Sequence, residues 1–230
     1  MQKSQQALVL ARFALLGALT VLPAKTARAQ WAPMNPVTTF LQQPDGVLFT
    51  MTTGTLKLQV CTDSIVRVRY SATTSFSNLL DYVVTKSTWP ETKWTMQSTS
   101  EGVTLATSRL MVTVTRKDGA ITYRDHDGKQ LVQEASRKLT PAKVNGEDTF
   151  RAESFINIYG SREGLYGLGQ HQAGVWNYRG ESVDISQDNS NISVPLLVSS
   201  NGYGIFWNND SRSRFRTLGR LAFAWRHTSN

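Results

Sequence analysis

Residues 164–210 read GLYGLGQHQAGVWNYRGESVDISQDNSNISVPLLVSSNGYGIFWNND, the densest cluster of glycine, aromatic and amide side chains in the chain. Gly164, Gly167 and Gly169 interrupt a short apolar run, which suits a strand that bends tightly or carries a bulge. Gln170 to Asn191 follows as a long polar segment with Trp176, Tyr178 and Arg179 inside it. It has neither a helical period nor clean alternation and reads as a loop. Val194–Val198 and Tyr203–Trp207 are two short apolar strands joined by Ser199-Ser200-Asn201-Gly202. The Asn201-Gly202 pair marks a hairpin turn, because both residues tolerate positive φ.

Upstream the same signals recur. Val47–Met51, Thr55–Cys61 and Ile65–Tyr70 are β-rich runs separated by Thr53-Gly54 and Thr62-Asp63-Ser64. Leu56, Leu58 and Val60 alternate with Lys57 and Gln59, and Val66 and Val68 with Arg67 and Arg69; a period of two marks a strand with one buried face. Val103–Thr107, Leu110–Thr115, Ala120–Arg124 and Gln130–Glu134 form a meander with turns at Lys117-Asp118-Gly119 and Asp127-Gly128, where glycine takes up positive φ. Tyr82-Val83-Val84 and Phe155–Tyr159 read as two further strands, whereas Ser75–Leu80 and the basic stretch Ser136–Phe150 read as irregular. Trp31 to Pro44 contains three prolines and reads as an extended lead-in, residues 30–44. No three-turn amphipathic helix follows the leader. The fold class is therefore all-β, an antiparallel β-sandwich over residues 45–215.

Residues 1–29 read as a signal peptide. Lys3 and Arg12 supply a positive start, Phe13 to Ala24 an apolar core, and Ala27-Arg28-Ala29 a small-x-small cleavage site. The apolar run falls short of the roughly 20 residues that span a bilayer; an uncleaved anchor is the alternative. Export to the periplasm or beyond the cell is the expectation, with no membrane attachment after cleavage. The leader carries Lys3, Arg12, Lys25 and Arg28 and no acid, so its removal halves the formal charge of +8. No basic run or stripe remains to argue for nucleic acid. The one cysteine, Cys61, lies in an apolar strand pattern and reads as buried and unreactive.

A sugar site needs the composition of the central loop: aromatic rings stack on pyranose C–H faces, and amides, Arg and carboxylates satisfy hydroxyls. A large surface loop packed by its own side chains is the alternative. His126, His171 and His227 have no metal-ligand spacing. Asp125-His126-Asp127-Gly128 lacks the remaining ligands of a calcium loop and reads as a hairpin turn. No phosphate loop or nucleophile elbow occurs, and no cofactor is expected. Glu153, Glu163, Glu181, Asp184 and Asp188 are the acidic candidates near the loop. A retaining glycosidase requires two carboxyls about 5 Å apart, a distance the order of residues does not set.

Tyr166-Gly167-Leu168-Gly169-Gln170-His171-Gln172, Asn177-Tyr178-Arg179-Gly180-Glu181, Gln187-Asp188-Asn189, Val194-Pro195-Leu196-Leu197, and Gly202-Tyr203-Gly204-Ile205 with Trp207 and Asn208 together resemble glycoside hydrolase family 31, in its α-xylosidase-like and α-glucosidase-like members. The resemblance covers roughly residues 45–215. It implies an N-terminal sandwich of the galactose mutarotase-like (supersandwich) type, followed in the family by a catalytic (β/α)8 barrel that holds both catalytic aspartates. No catalytic residue carries over to this chain, and the isolated chain is expected to be inactive. The implied partners are an α-linked oligosaccharide or glycoside and the missing barrel, to whose pocket rim the sandwich lends a loop.

The candidate rim residues are Gln170, His171, Trp176, Asn177, Tyr178 and Arg179, with Asp188 and Asn189 as outer members. His171 either donates to a sugar hydroxyl or anchors the loop. Tyr178 could stack on the sugar, and Arg179 could pair with Glu181 or with a hydroxyl. For each, a contact inside the loop is the alternative. Two other functions stay open: a stand-alone carbohydrate-binding module, and a mutarotase-like epimerase, which would need a histidine facing a carboxylate. The tail, 216–230, departs from the family pattern and suggests a truncated or frame-shifted reading frame whose sandwich would expose an edge.

Overall fold

The computed structural model describes residues 35–76, 81–86, 88–157, 162–208 and 211–217, and the backbone of 221–227; all belong to the unit Ala32–Asn230. The leader expectation for residues 1–29 lies outside them. The described residues form strands and no helix, and every strand pair is antiparallel.

β1 (Val37–Gln43), β2 (Gly46–Met51), β3 (Thr55–Val60) and β4 (Val66–Ser71) make a four-stranded meander. β5 (Thr95–Ser98), β6 (Gly102–Ala106), β7 (Leu110–Thr115), β8 (Ile121–Asp125), β9 (Gln130–Val144) and β10 (Glu147–Asn157) continue as a second meander. β11 (Leu165–Gln170), β13 (Ile192–Ser199) and β14 (Gly204–Phe206) form a three-stranded sheet. β12 (Ser182–Ile185), β15 (Ser213–Arg216) and β16 (Leu221–His227) extend the second meander into nine strands, in the order β12-β15-β16-β10-β9-β8-β7-β6-β5.

The long sheet is one layer of the sandwich, and the two short sheets cover its two halves. Val47, Phe49, Leu56 and Leu58 of the four-stranded sheet pack with Val103, Leu105, Val112, Val114 and Ile121 of the long sheet. Leu165, Leu168 and Leu197 of the three-stranded sheet pack with Leu131, Val132, Ile156, Ile185 and Phe215. Tyr123 on β8 touches both clusters. Period-two alternation therefore places one apolar face of every covering strand toward the long sheet.

Three readings from the residues are corrected. Ser136–Phe150 is not irregular: β9 and β10 pair across it around Asn145-Gly146, both at positive φ (52° and 87°). Lys143 and Asp148 bridge the two strands at 3.0 Å, so cross-strand charges stand where an apolar period would otherwise mark the hairpin. Tyr82-Val83-Val84 is not a strand. Asp81 Oδ1 accepts hydrogen bonds from the Val83 and Val84 amides at 3.1 and 2.8 Å and folds the segment into a turn. The loop Gln170–Asn191 contains β12, too short to give a pattern of its own and paired with β15. Part of the lead-in is β1, hydrogen-bonded along β2. Residues 221–227, in the tail, run between β10 and β15. The Asp125 turn holds as read, with Asp125 Oδ1 accepting from the Asp127 and Lys129 amides. Cys61 is buried and free, and burial pushes its thiol pKa up.

Candidate functional site

The loop between β11 and β13 begins at a bulge. The β11–β13 register shifts between Gly167 and Gly169, and Leu168 takes φ 62° to turn its side chain into the core. Gly167 and Gly169 are required here. A Cβ on either would stand 2.3 Å from the Leu196 carbonyl oxygen or 2.0 Å from that of Ile192.

Past the bulge the chain is clamped on three sides. Asn177 Oδ1 accepts from the amides of Leu165 and Arg179, each at 3.1 Å. The Tyr178 amide donates to the Leu165 carbonyl at 2.8 Å. Arg179 Nη1 donates to the Glu163 carbonyl at 3.1 Å. On the far side Thr217 donates its hydroxyl to the Tyr178 carbonyl and accepts from the Glu181 amide at 2.9 Å. The next part of the loop closes on itself: Asp188 Oδ1 accepts from the amides of Ser190 and Asn191, and Asn191 Oδ1 accepts from the Gln172 amide.

These clamps sort the candidate residues. Tyr178 is 4% exposed, with its ring edge-on to Phe215 at 6.5 Å and to His171 at 6.4 Å. It is a core residue with no face open for stacking, and burial raises its pKa. His171 takes the anchoring alternative, with Nε2 2.8 Å from the Leu168 carbonyl oxygen. The printed bonds of Asn177 and Arg179 are likewise the clamp, and Arg179 bonds a backbone carbonyl rather than Glu181. Asp188 sits in its own turn, its carboxyl held below the usual range by the Ser190 and Asn191 amides and the Asn191 side chain. Gln170, Trp176 and Asn189 are open to solvent. Trp176 stands out at 87% exposure, while its neighbour Val175 packs on the core.

Residue order did not single out the hub behind the clamp. Glu163 is 3% exposed; its Oε1 accepts from the hydroxyls of Ser199 and Tyr203, both at 2.5 Å, and its Oε2 has no hydrogen-bond partner. Burial, then this carboxylate, pushes the Tyr203 phenol well above its ordinary pKa. Gly164 and Ser200 exchange two further bonds beside it, at 2.9 Å each. The only signal in the sequence is an acid placed directly before a glycine-broken strand. The remaining acids make ordinary contacts: Asp184 with Arg214 at 2.5 and 3.1 Å, and Glu153 with Arg151 at 3.1 Å. The Arg214 hydrogen bond is the main reason that the Asp184 carboxyl lies low. The arrangement thus offers one exposed indole on a fixed loop, and carboxylates bonded to cations, hydroxyls and amides.

Residues 55–215 match the family described as the Glycosyl hydrolase 31 N-terminal galactose mutarotase-like domain. An α-xylosidase of Saccharolobus solfataricus is 32% identical over 119 residues, which cover 47% of this chain and 16% of the relative. The crystal structure of a family 31 α-xylosidase from Xanthomonas citri superposes with a TM-score of 0.70 at 27% identity, over 76% of this chain and 19% of that one. A family 31 α-xylosidase from a soil metagenome, complexed with xylose, has the same fold, with a TM-score of 0.72 at 22% identity, over 82% of this chain and 30% of that one. The chain spans 11–16% of the length of the curated relatives it matches.

Proposed function

The chain belongs to glycosyl hydrolase family 31, as its N-terminal galactose mutarotase-like domain, and we propose that it serves an exported α-xylosidase- or α-glucosidase-like enzyme as a non-catalytic support. In this reading the loop from Gln170 to Asn189 lies at the rim of a sugar pocket whose catalytic acids come from a (β/α)8 barrel. Trp176 is the residue that meets sugar, with Gln170 and Asn189 as polar neighbours. Tyr178, His171, Asn177 and Arg179 act behind it by fixing the loop.

The observation that carries the proposal is the contrast between Trp176 and everything around it. A large apolar ring is left 87% exposed on a segment whose next three residues are tied down by hydrogen bonds and core contacts. An indole held rigidly in water loses little entropy on stacking against a pyranose. The relatives in the comparison include α-xylosidases, one of them complexed with xylose, and this supports an α-linked glycoside as the ligand.

The test is a tryptophan-fluorescence titration of the purified chain, wild type and Trp176→Ala, with xylose and with an α-linked disaccharide. The support reading expects at most weak quenching by the wild type, lost in the variant. Tight saturable binding by the chain alone would favour a stand-alone carbohydrate-binding module. Equal quenching in both proteins would remove Trp176 from the site.

A further inference from the structure

The outer face of the three-stranded sheet is apolar and uncovered. Tyr166, Ile192, Val194, Leu196, Val198 and Phe206 are each 38–55% exposed. The register explains why they collect: Tyr166 stands opposite Val198, and Leu196 opposite Phe206. With a period of two, all six share the face that points away from Leu165, Leu197 and Ser199 in the core. No charged residue stands on this face of the three strands.

One end of the face is built out. Asn208, two residues past Phe206, donates to Asp81 Oδ2 at 2.6 Å, and Arg67 donates to the same oxygen at 2.7 Å. Asp81 in turn holds the turn that carries exposed Tyr82 and Val83. A segment distant in sequence is thus fixed against the last covering strand with its own apolar side chains outward.

We propose that this face docks a second domain of the same polypeptide, the one that would carry the catalytic acids. Three observations choose that occupant. Six half-exposed side chains make a patch on the order of 400 Å², large enough to mark an interaction site but about half of what each partner buries in a stable complex. That is too little to hold two free copies together, and enough when a covalent link keeps the partner at high effective concentration. An uncharged face calls for an apolar partner. Lastly, the face is continuous with the loop: β11 enters the loop and β13 leaves it, and Gln170 stands opposite Ile192. A loop that reaches sugar held by another domain brings this face against that domain. The inference rests on the support reading of the loop.

The test uses the full chain at about 100 µM, ample for a weak association, with the Xanthomonas citri α-xylosidase from which the segment matching this chain has been deleted. Sedimentation velocity is expected to give a saturable complex. Leu196→Lys/Phe206→Lys should weaken it at least tenfold, Val194→Glu on the same face should act likewise, and near-ultraviolet circular dichroism should match the wild type for whichever variants are used. Trp176→Ala should bind as the wild type does. Absence of a complex, unaltered association of the charged variants, or dimerisation of the free chain through this face would each overturn the proposal. If charge on the face breaks the complex while Trp176→Ala leaves sugar quenching intact, the docking stands and the loop reading fails.

Discussion

Glu163 shows how one buried group fixes a loop it does not enter. Its carboxylate gathers Ser199 and Tyr203, while its backbone carbonyl receives Arg179. Removing an acceptor from two buried hydroxyls leaves both unsatisfied, at a cost set by their lost hydration. Glu163→Ala is therefore expected to lower unfolding stability by about 2–3 kcal/mol, and Glu163→Gln, which keeps a carbonyl oxygen, by about 1 kcal/mol; urea unfolding measures both. Equal losses would mean that the cavity rather than the lost acceptor sets the cost. At this scale the sequence was least legible. Tyr178 and Trp176 are both aromatics in one polar loop, and only tertiary placement sends Tyr178 against Phe215 and Trp176 into water.

Among the elements, the glycine-broken strand was the most legible, because steric exclusion acts locally. Gly169→Ala puts a Cβ at φ 96°, 2.0 Å from a carbonyl oxygen of the neighbouring strand. It is expected to cost about 2–4 kcal/mol. Gly174→Ala has the same backbone sign (φ 64°) and open space, and should cost about 1 kcal/mol or less. Thermal unfolding of the pair separates steric contact from backbone strain. The alternating strands β2, β3, β6 and β7 were legible for a similar reason, since each presents one buried face. The outer halves of β9 and β10 were not. Their side chains remain largely in water, and the ladder, rather than burial, holds them. The Asn145-Gly146 turn carried the same signal as Asn201-Gly202, but its flanks lacked an apolar period.

For the whole molecule, the resemblance named the fold, yet residue order did not convey how the long sheet carries two separate cores. Arg137 on β9 crosses between layers, lying over the Tyr70 ring at 4.5 Å and donating to the Gly119 carbonyl at 3.3 Å. It also faces Glu134 at 3.5 Å, a buried carboxyl whose Oε2 has no partner. Burial raises the Glu134 pKa against the pull of Arg137. A carboxyl that holds its proton more tightly when folded contributes stability that is complete below the unfolded value, near 4.5, and is lost as pH rises through the folded value. Glu134→Gln removes that dependence, so its stability relative to wild type should grow as pH rises from about 4.5 to neutrality. Denaturant midpoints across that range test this, and a constant difference would contradict it.

The account as a whole turns on the separation of support from chemistry. The most direct measurement is the turnover of aryl α-xylosides and α-glucosides by the purified 230-residue chain alone. Release of the aryl group no faster than with heat-inactivated protein is the predicted result. Catalytic release clearly above that background would mean that this sandwich contains its own pair of working carboxyls, and would contradict the account.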